Sequence, residues 1–151
     1  MTGIKQQLYQ FCQHYVQERT ARLRRQLADL RESLDAEDKN SSGDKHETGR
    51  AMIQLEQERL AQALREAERL ESDAQRLPRP AIATGPLGPG SLVRCAGQWY
   101  YIGIGAGATE VDGTRYFCIS PASPAGMQFM GKQPGDSVTL PSGTFRIEAH
   151  H

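Results

Sequence analysis

The sequence predicts an α+β protein of two domains: an N-terminal antiparallel α-helical coiled-coil hairpin, then a small, mostly antiparallel sheet domain with one short helix. Three observations predict it. Charge is concentrated in residues 1–77, which hold 13 of the 18 Lys and Arg and 14 of the 18 Asp and Glu. Turn-forming residues are concentrated in 78–151, which hold all eight prolines and 12 of the 15 glycines. Apolar residues recur three, four or seven apart in the first part, whereas the second part holds short β-branched and aromatic runs between turn signals. The domains expected are therefore 1–77, a Pro/Gly linker at 78–90, and 91–151, because the run LPRPAIATGPLGPG cannot continue a helix.

The first helix is read from its stripe. Ile4, Leu8, Phe11 and Tyr15 lie on one face, and Val16, Leu23, Leu27, Leu30 and Leu34 continue it with a drift of one residue. Ile53, Leu60, Leu64, Ala67, Leu70, Ala74 and Leu77 make a second stripe. Both are narrow seams with charged flanks, and a narrow seam needs a partner helix. The nearest partner is the other half of the same chain. Each arm of such a hairpin is about 30 residues, or ~45 Å at ~1.5 Å per residue.

The expected bend is DAEDKNSSGDKHE, residues 35–47. It carries Asp35, Glu37, Asp38, Asp44 and Glu47 against Lys39 and Lys45, a net charge of −3. Asp44 and Glu47 have capping-box spacing at the start of the second helix, where negative charge is favoured. Two carboxylates three apart also suit Mg²⁺, which accepts one or two protein carboxylates and keeps some of its waters. They make half a metal site, and a partner would supply the rest. His46 between them is a proton carrier or an inert loop residue. Helix one also carries RTARLRR, with Arg19, Arg22, Arg24 and Arg25. These would hold RNA or an acidic protein surface, or form a solvated face with partners on helix two.

The second part reads as about five strands. SLVRC (91–95) and QWYYIGI (98–104) flank the tight turn Ala96-Gly97, and RYFCIS (115–120) follows the turn Asp112-Gly113. Ser123 and Pro124 open a short helix ending near Gly131, since a serine N-cap followed by proline at the first helical position is a start signal. DSVTL (136–140) and TFRIEAH (144–150) flank Pro141-Ser142-Gly143. Trp99, Tyr100, Tyr101, Phe117, Phe129 and Phe145 are the expected core. IGIGAGAT (102–109) follows a strand, but no helix follows it, so it reads as a flexible turn rather than a phosphate loop.

Composition excludes several classes. The 18 basic and 18 acidic residues balance, so no overall basic field draws the chain onto nucleic acid, and sequence-specific DNA binding is not expected. No apolar run approaches the ~18 residues of a membrane span, and MTGIKQQLYQF lacks a signal-peptide core. Three widely spaced cysteines, Cys12, Cys95 and Cys118, argue against a disulfide framework and fit a reducing compartment, with the cytoplasm as the default. Neither they nor the histidines, including the terminal pair His150-His151, have metal-ligand spacing.

Two stretches resemble a known family, the bacterial Gre transcript-cleavage factors. Gly43-Asp44-Lys45-His46-Glu47 is similar to that family's tip motif G-D-L-S-E-N-A-E-Y, with both acids in place. Ile119-Ser120-Pro121-Ala122-Ser123-Pro124-Ala125-Gly126, with Gly131-Lys132 and Gly135-Asp136-Ser137-Val138, is similar to its C-terminal signature I-S-x-x-S-P-x-G, G-K, G-D-x-V. The resemblance spans nearly the whole chain and implies an FKBP-like fold from about residue 80. It implies a factor that enters the secondary channel of RNA polymerase and acts on the backtracked RNA 3′ end. Asp44 and Glu47 would be donated to a Mg²⁺ shared with the polymerase, with no cofactor held alone and no enzymatic activity of its own. The C-terminal signature (Ser120, Ser123, Pro124, Gly126, Gly131, Lys132, Gly135, Asp136) would belong to a domain gripping the channel rim, and the arginines of helix one would face RNA. After Glu47 the chain has Thr48-Gly49-Arg50-Ala51 where the family has N-A-E-Y, and the E-A-D stretch that usually precedes the C-terminal signature is absent, Thr114-Arg115-Tyr116-Phe117 standing there instead. A non-cleaving channel regulator is therefore the alternative. Further readings are a prolyl isomerase or chaperone with a helical handle, and a plain coiled-coil scaffold.

Overall fold

A computed structural model describes the backbone of residues 2–39 and 43–151 and the side chains of residues 3–39 and 47–151. Two long helices come first, α1 (Thr2–Lys39) and α2 (Gly43–Gln75). They are longer than the periodicity predicts. Asp35 to Lys39, expected in the bend, are helical, because Ala36, Glu37 and Lys39 are good helix formers and no glycine or proline interrupts them. Only residues 40–42, outside the described residues, separate the two helices.

The chain divides into two compact units, Val16–Glu71 and Met1–Tyr15 with Ser72–His151. In the first, both helices contribute to one seam. Leu23 and Leu27 of α1 meet Leu60 and Ala67 of α2, flanked by Leu30, Ala63 and Leu64. Thr20 lies on the same stripe and is fully buried, its hydroxyl donating to the Val16 carbonyl at 2.8 Å. That bond satisfies the group inside its own helix, so a polar residue is tolerated in the seam.

The second unit holds a six-stranded sheet: β1 (Leu92–Cys95), β2 (Gln98–Ile102), β3 (Gly107–Val111), β4 (Thr114–Ile119), β5 (Ser137–Leu140) and β6 (Gly143–His150). The spatial order is β3-β4-β2-β1-β6-β5. Neighbours are antiparallel except β2 and β4, which run parallel with Tyr101 opposite Cys118. The expected turns at Ala96-Gly97 and Asp112-Gly113 are present, with all four residues at positive φ, as type I′ hairpins require.

IGIGAGAT is not a flexible turn. Its last part is the edge strand β3, while Ile104 and Ala106 are buried and Gly103 lies under the Leu77 side chain, 3.2 Å from where a Cβ would stand. Small residues there let α2's end approach the sheet. The terminal histidines also belong to the sheet. His151 exchanges both backbone hydrogen bonds with Leu92, at 2.8 and 3.0 Å, and its ring lies 5.7 Å from that of Trp99.

Alternation along the strands gives the sheet two covered faces. On one, Val93, Cys95, Ile102, Val138, Leu140 and Ile147 pack with Leu87 and with Phe129 of α3 (Pro124–Phe129). Tyr100 sits there too, 5.2 Å from the Phe129 ring and 5.9 Å from the Phe117 ring. The other face carries Tyr101 and Cys118, and the first turns of α1 lie against it. Cys12 hydrogen-bonds to the Cys118 thiol, and both are buried. The neighbouring Cys12 thiol, and then burial, hold the Cys118 thiol well above its ordinary pKa, and burial does the same for Tyr101. Gln13 donates to the Ala74 carbonyl at 2.6 Å, tying α1 to α2 within this unit.

Candidate functional site at the hairpin end

The acid-bearing segment lies where α1 ends and α2 begins. Asp44, Lys45 and His46 are in the first turn of α2, but their side chains lie outside the described residues, and with them the capping reading of Asp44. Glu47 is described and exposed to solvent. One turn on, Arg50 of α2 forms an ion pair with Asp38 of α1. Gly49 faces Glu37, whose carboxylate oxygen is 2.8 Å from where a glycine-to-alanine Cβ would stand. The two helices thus stay paired to their ends, Asp38 against Arg50 and the Glu37 side chain beside Gly49. Both partners of the ion pair are substantially exposed, so it orients the end of the hairpin while contributing under about 1 kcal/mol.

A carboxylate is a suitable Mg²⁺ ligand, but Asp38 is engaged by Arg50 and Glu47 stands alone among the described acids facing outward from α2's start. Among the described residues no group of three or more His, Cys, Asp or Glu converges as a metal site. Farther along α2, Met52 and Leu55 are 68% and 69% exposed, three apart. The apolar stripe of α2 does not include this pair. Its signal was present, since both residues fall outside the seam positions of α2.

The structure does not gather the four arginines into one patch. They fall within the seven residues Arg19–Arg25 of α1, and at roughly 100° per residue Arg24 lies about 140° around the helix from Arg19. Arg22, Arg24 and Arg25 are exposed and Arg19 is half-buried.

The C-terminal signature is brought together, and its residues hold the backbone in place. Ser123 is the N-cap of α3, its hydroxyl accepting from Gly126 N–H at 3.0 Å and donating to the Ser120 carbonyl at 2.6 Å. The Ser120 hydroxyl accepts from Ala122 N–H at 3.1 Å. Pro124 stands at the first helical position. Gly126 is buried against the Ser120 carbonyl, where any Cβ would collide. Gly131 and Gly135 adopt φ of +80° and +93°, left-handed values that favour glycine. Gly131 N–H donates to Leu87 O at 2.9 Å and Gly135 N–H to Ile147 O at 2.8 Å. The Lys132 ammonium donates to Ser137 O at 3.0 Å, and the Asp136 carboxylate accepts from Gln133 N–H at 2.8 Å.

No helix among the described residues is long and apolar enough to cross a membrane. Compared with known proteins, the chain matches no family model and no curated relative. Among solved structures it aligns with that of the transcription factor Gfh1 at 28% identity, over 88% of this chain and 93% of that one, with a TM-score of 0.32. Superposition at that level is too loose to carry a fold assignment.

Proposed function

We propose that this chain is a Gre-like transcription factor that binds RNA polymerase through its secondary channel and offers Asp44 and Glu47 to a Mg²⁺ at the polymerase active centre. The observation that carries the reading is the end of the helical hairpin, where paired helices bring an acidic segment to their junction and leave Glu47 exposed. Met52 and Leu55 support it, because exposed apolar side chains mark a surface that another protein covers. So does the close spacing of the Ser120–Asp136 signature with its cap, turns and glycine contacts. The FKBP-like character of the C-terminal domain, its grip on the channel rim, and RNA contact through the helix-one arginines belong to the same proposal. In a two-metal displacement the ions stabilise the attacking and leaving oxygens, so the hairpin need only hold carboxylates in position.

A second reading is favoured by Arg50. It stands within the stretch that differs from the family motif, and its charge is turned to Asp38 rather than outward. The chain would then occupy the channel and alter transcription without cleaving RNA. Backtracked complexes of the cognate polymerase, supplied with Mg²⁺, separate the two. The cleavage reading expects RNA shortening by the wild type that falls at least tenfold in Asp44→Asn and Glu47→Gln while polymerase binding persists. Binding with no shortening by the wild type establishes the regulator instead, and absence of binding overturns both.

A further inference from the structure

A small cavity lies where the first turn of α1 meets residues 78–91 and the end of β6, all within the sheet-containing unit. Its volume is about 190 Å³, below the ~300 Å³ at which drug-sized ligand pockets begin. Its wall includes Lys5, Arg79, Thr84, Ser91 and His150, and none of its thirteen lining residues is acidic. Lys5 is only 6% exposed, and its ammonium donates to the Ala81 carbonyl at 2.8 Å. A carbonyl does not neutralise a buried cation, and a buried charge without an opposite charge is costly. His150 meets the Ser91 hydroxyl at 2.9 Å, so a hydroxyl and an imidazole are already oriented at the wall.

We infer that this cavity binds a phosphate group, free or carried on a nucleotide, with Lys5, Arg79, Ser91 and His150 as its donors. The inference is independent of the hairpin reading, since none of these residues belongs to the hairpin end. Protonated side-chain donors are a usual means of holding such a group. The pH dependence follows from His150. Burial, then the nearby Lys5 charge and His151, holds its pKa below the ordinary histidine value. An anion placed among Lys5, Arg79 and His150 opposes that effect and raises it. Binding therefore takes up a proton, and affinity rises as pH falls through the window between the free and bound pKa values.

The test is NMR titration of the His150 ring in the full chain. Chloride at matched ionic strength is the control, and the probes are inorganic phosphate, adenosine monophosphate, and sulfate, whose charge is constant from pH 5 to 8. The expected result is a rise in the His150 pKa with phosphate and sulfate but not chloride, and roughly tenfold weaker binding in Lys5→Met and in Arg79→Gln. Arg79 is exposed on irregular backbone, so its variant folds even if Lys5→Met does not. A larger response to the nucleotide than to phosphate identifies a carried phosphate, and the reverse identifies the free ion. No response to phosphate or sulfate at about 10 mM, or an undiminished response in Arg79→Gln, overturns the inference.

Discussion

Gly126 shows how much one position in the C-terminal signature is asked to do. It lies in α3 with the Ser120 carbonyl against its Cα, and a Cβ would also approach the Ser120 carbonyl carbon and the Ser123 hydroxyl at 2.9 Å each. The obstructing atoms are mostly backbone, so they cannot swing away. Gly126→Ala should destabilise the protein by roughly 2–4 kcal/mol, whereas Ser123→Ala, which removes the N-cap and the hydroxyl's bond to the Ser120 carbonyl, should cost about 1–2 kcal/mol. Urea unfolding followed by tryptophan fluorescence at Trp99 distinguishes them, and equal losses would show that the backbone contact is not the controlling one. The cap was legible in the sequence because Ser-Pro before a short apolar run is a local signal. The need for glycine two residues later was not, because it arises from the path of the Ser120 carbonyl in space.

The helical seam operates at the scale of elements. Buried positions of α1 in the hairpin unit are Val16, Thr20, Leu23 and Leu27, spaced four, three and four. On α2 they are Leu60 and Ala67, seven apart, so a large residue alternates with a small one along the seam. Leu60 is the bulkiest member on its side and is 5% exposed. Leu60→Ala should therefore lower stability by about 2–4 kcal/mol, because neighbouring helices cannot collapse fully into the void. Met52→Ala or Leu55→Ala, at exposed sites, should stay within about 0.5 kcal/mol. Thermal unfolding followed by helical circular dichroism checks both, and a Leu60→Ala loss no larger than that of Leu55→Ala would contradict the packing described. Periodicity made most of this seam visible. It missed Thr20 and, in the other unit, Lys5 and Cys12, because hydropathy alone does not show that a polar group is satisfied by a carbonyl or that a thiol has a partner.

At the scale of the molecule the two units differ in how much apolar surface each encloses. Among the described residues, the sheet cluster from Leu87 to Ile147 holds eight buried residues and the hairpin cluster four. Local opening is easier where fewer buried contacts resist it. Backbone amides of β1, β2 and β4 should exchange with solvent at least tenfold more slowly than those of residues 50–65, and mass spectrometry of exchanged peptides reads the difference. Uniform protection would mean one cooperative unit. The local patterns of the sequence determined the helices, most strands, the two type I′ turns and the α3 start, because each depends on neighbours within a few residues. The tertiary structure alone decided that β3 is a strand, that β2 and β4 run parallel, that Cys12 meets Cys118, and that Lys5, Arg79 and His150 surround one cavity. Those outcomes depend on which distant surfaces fit together once the chain closes, and that information is carried by no single stretch of residues.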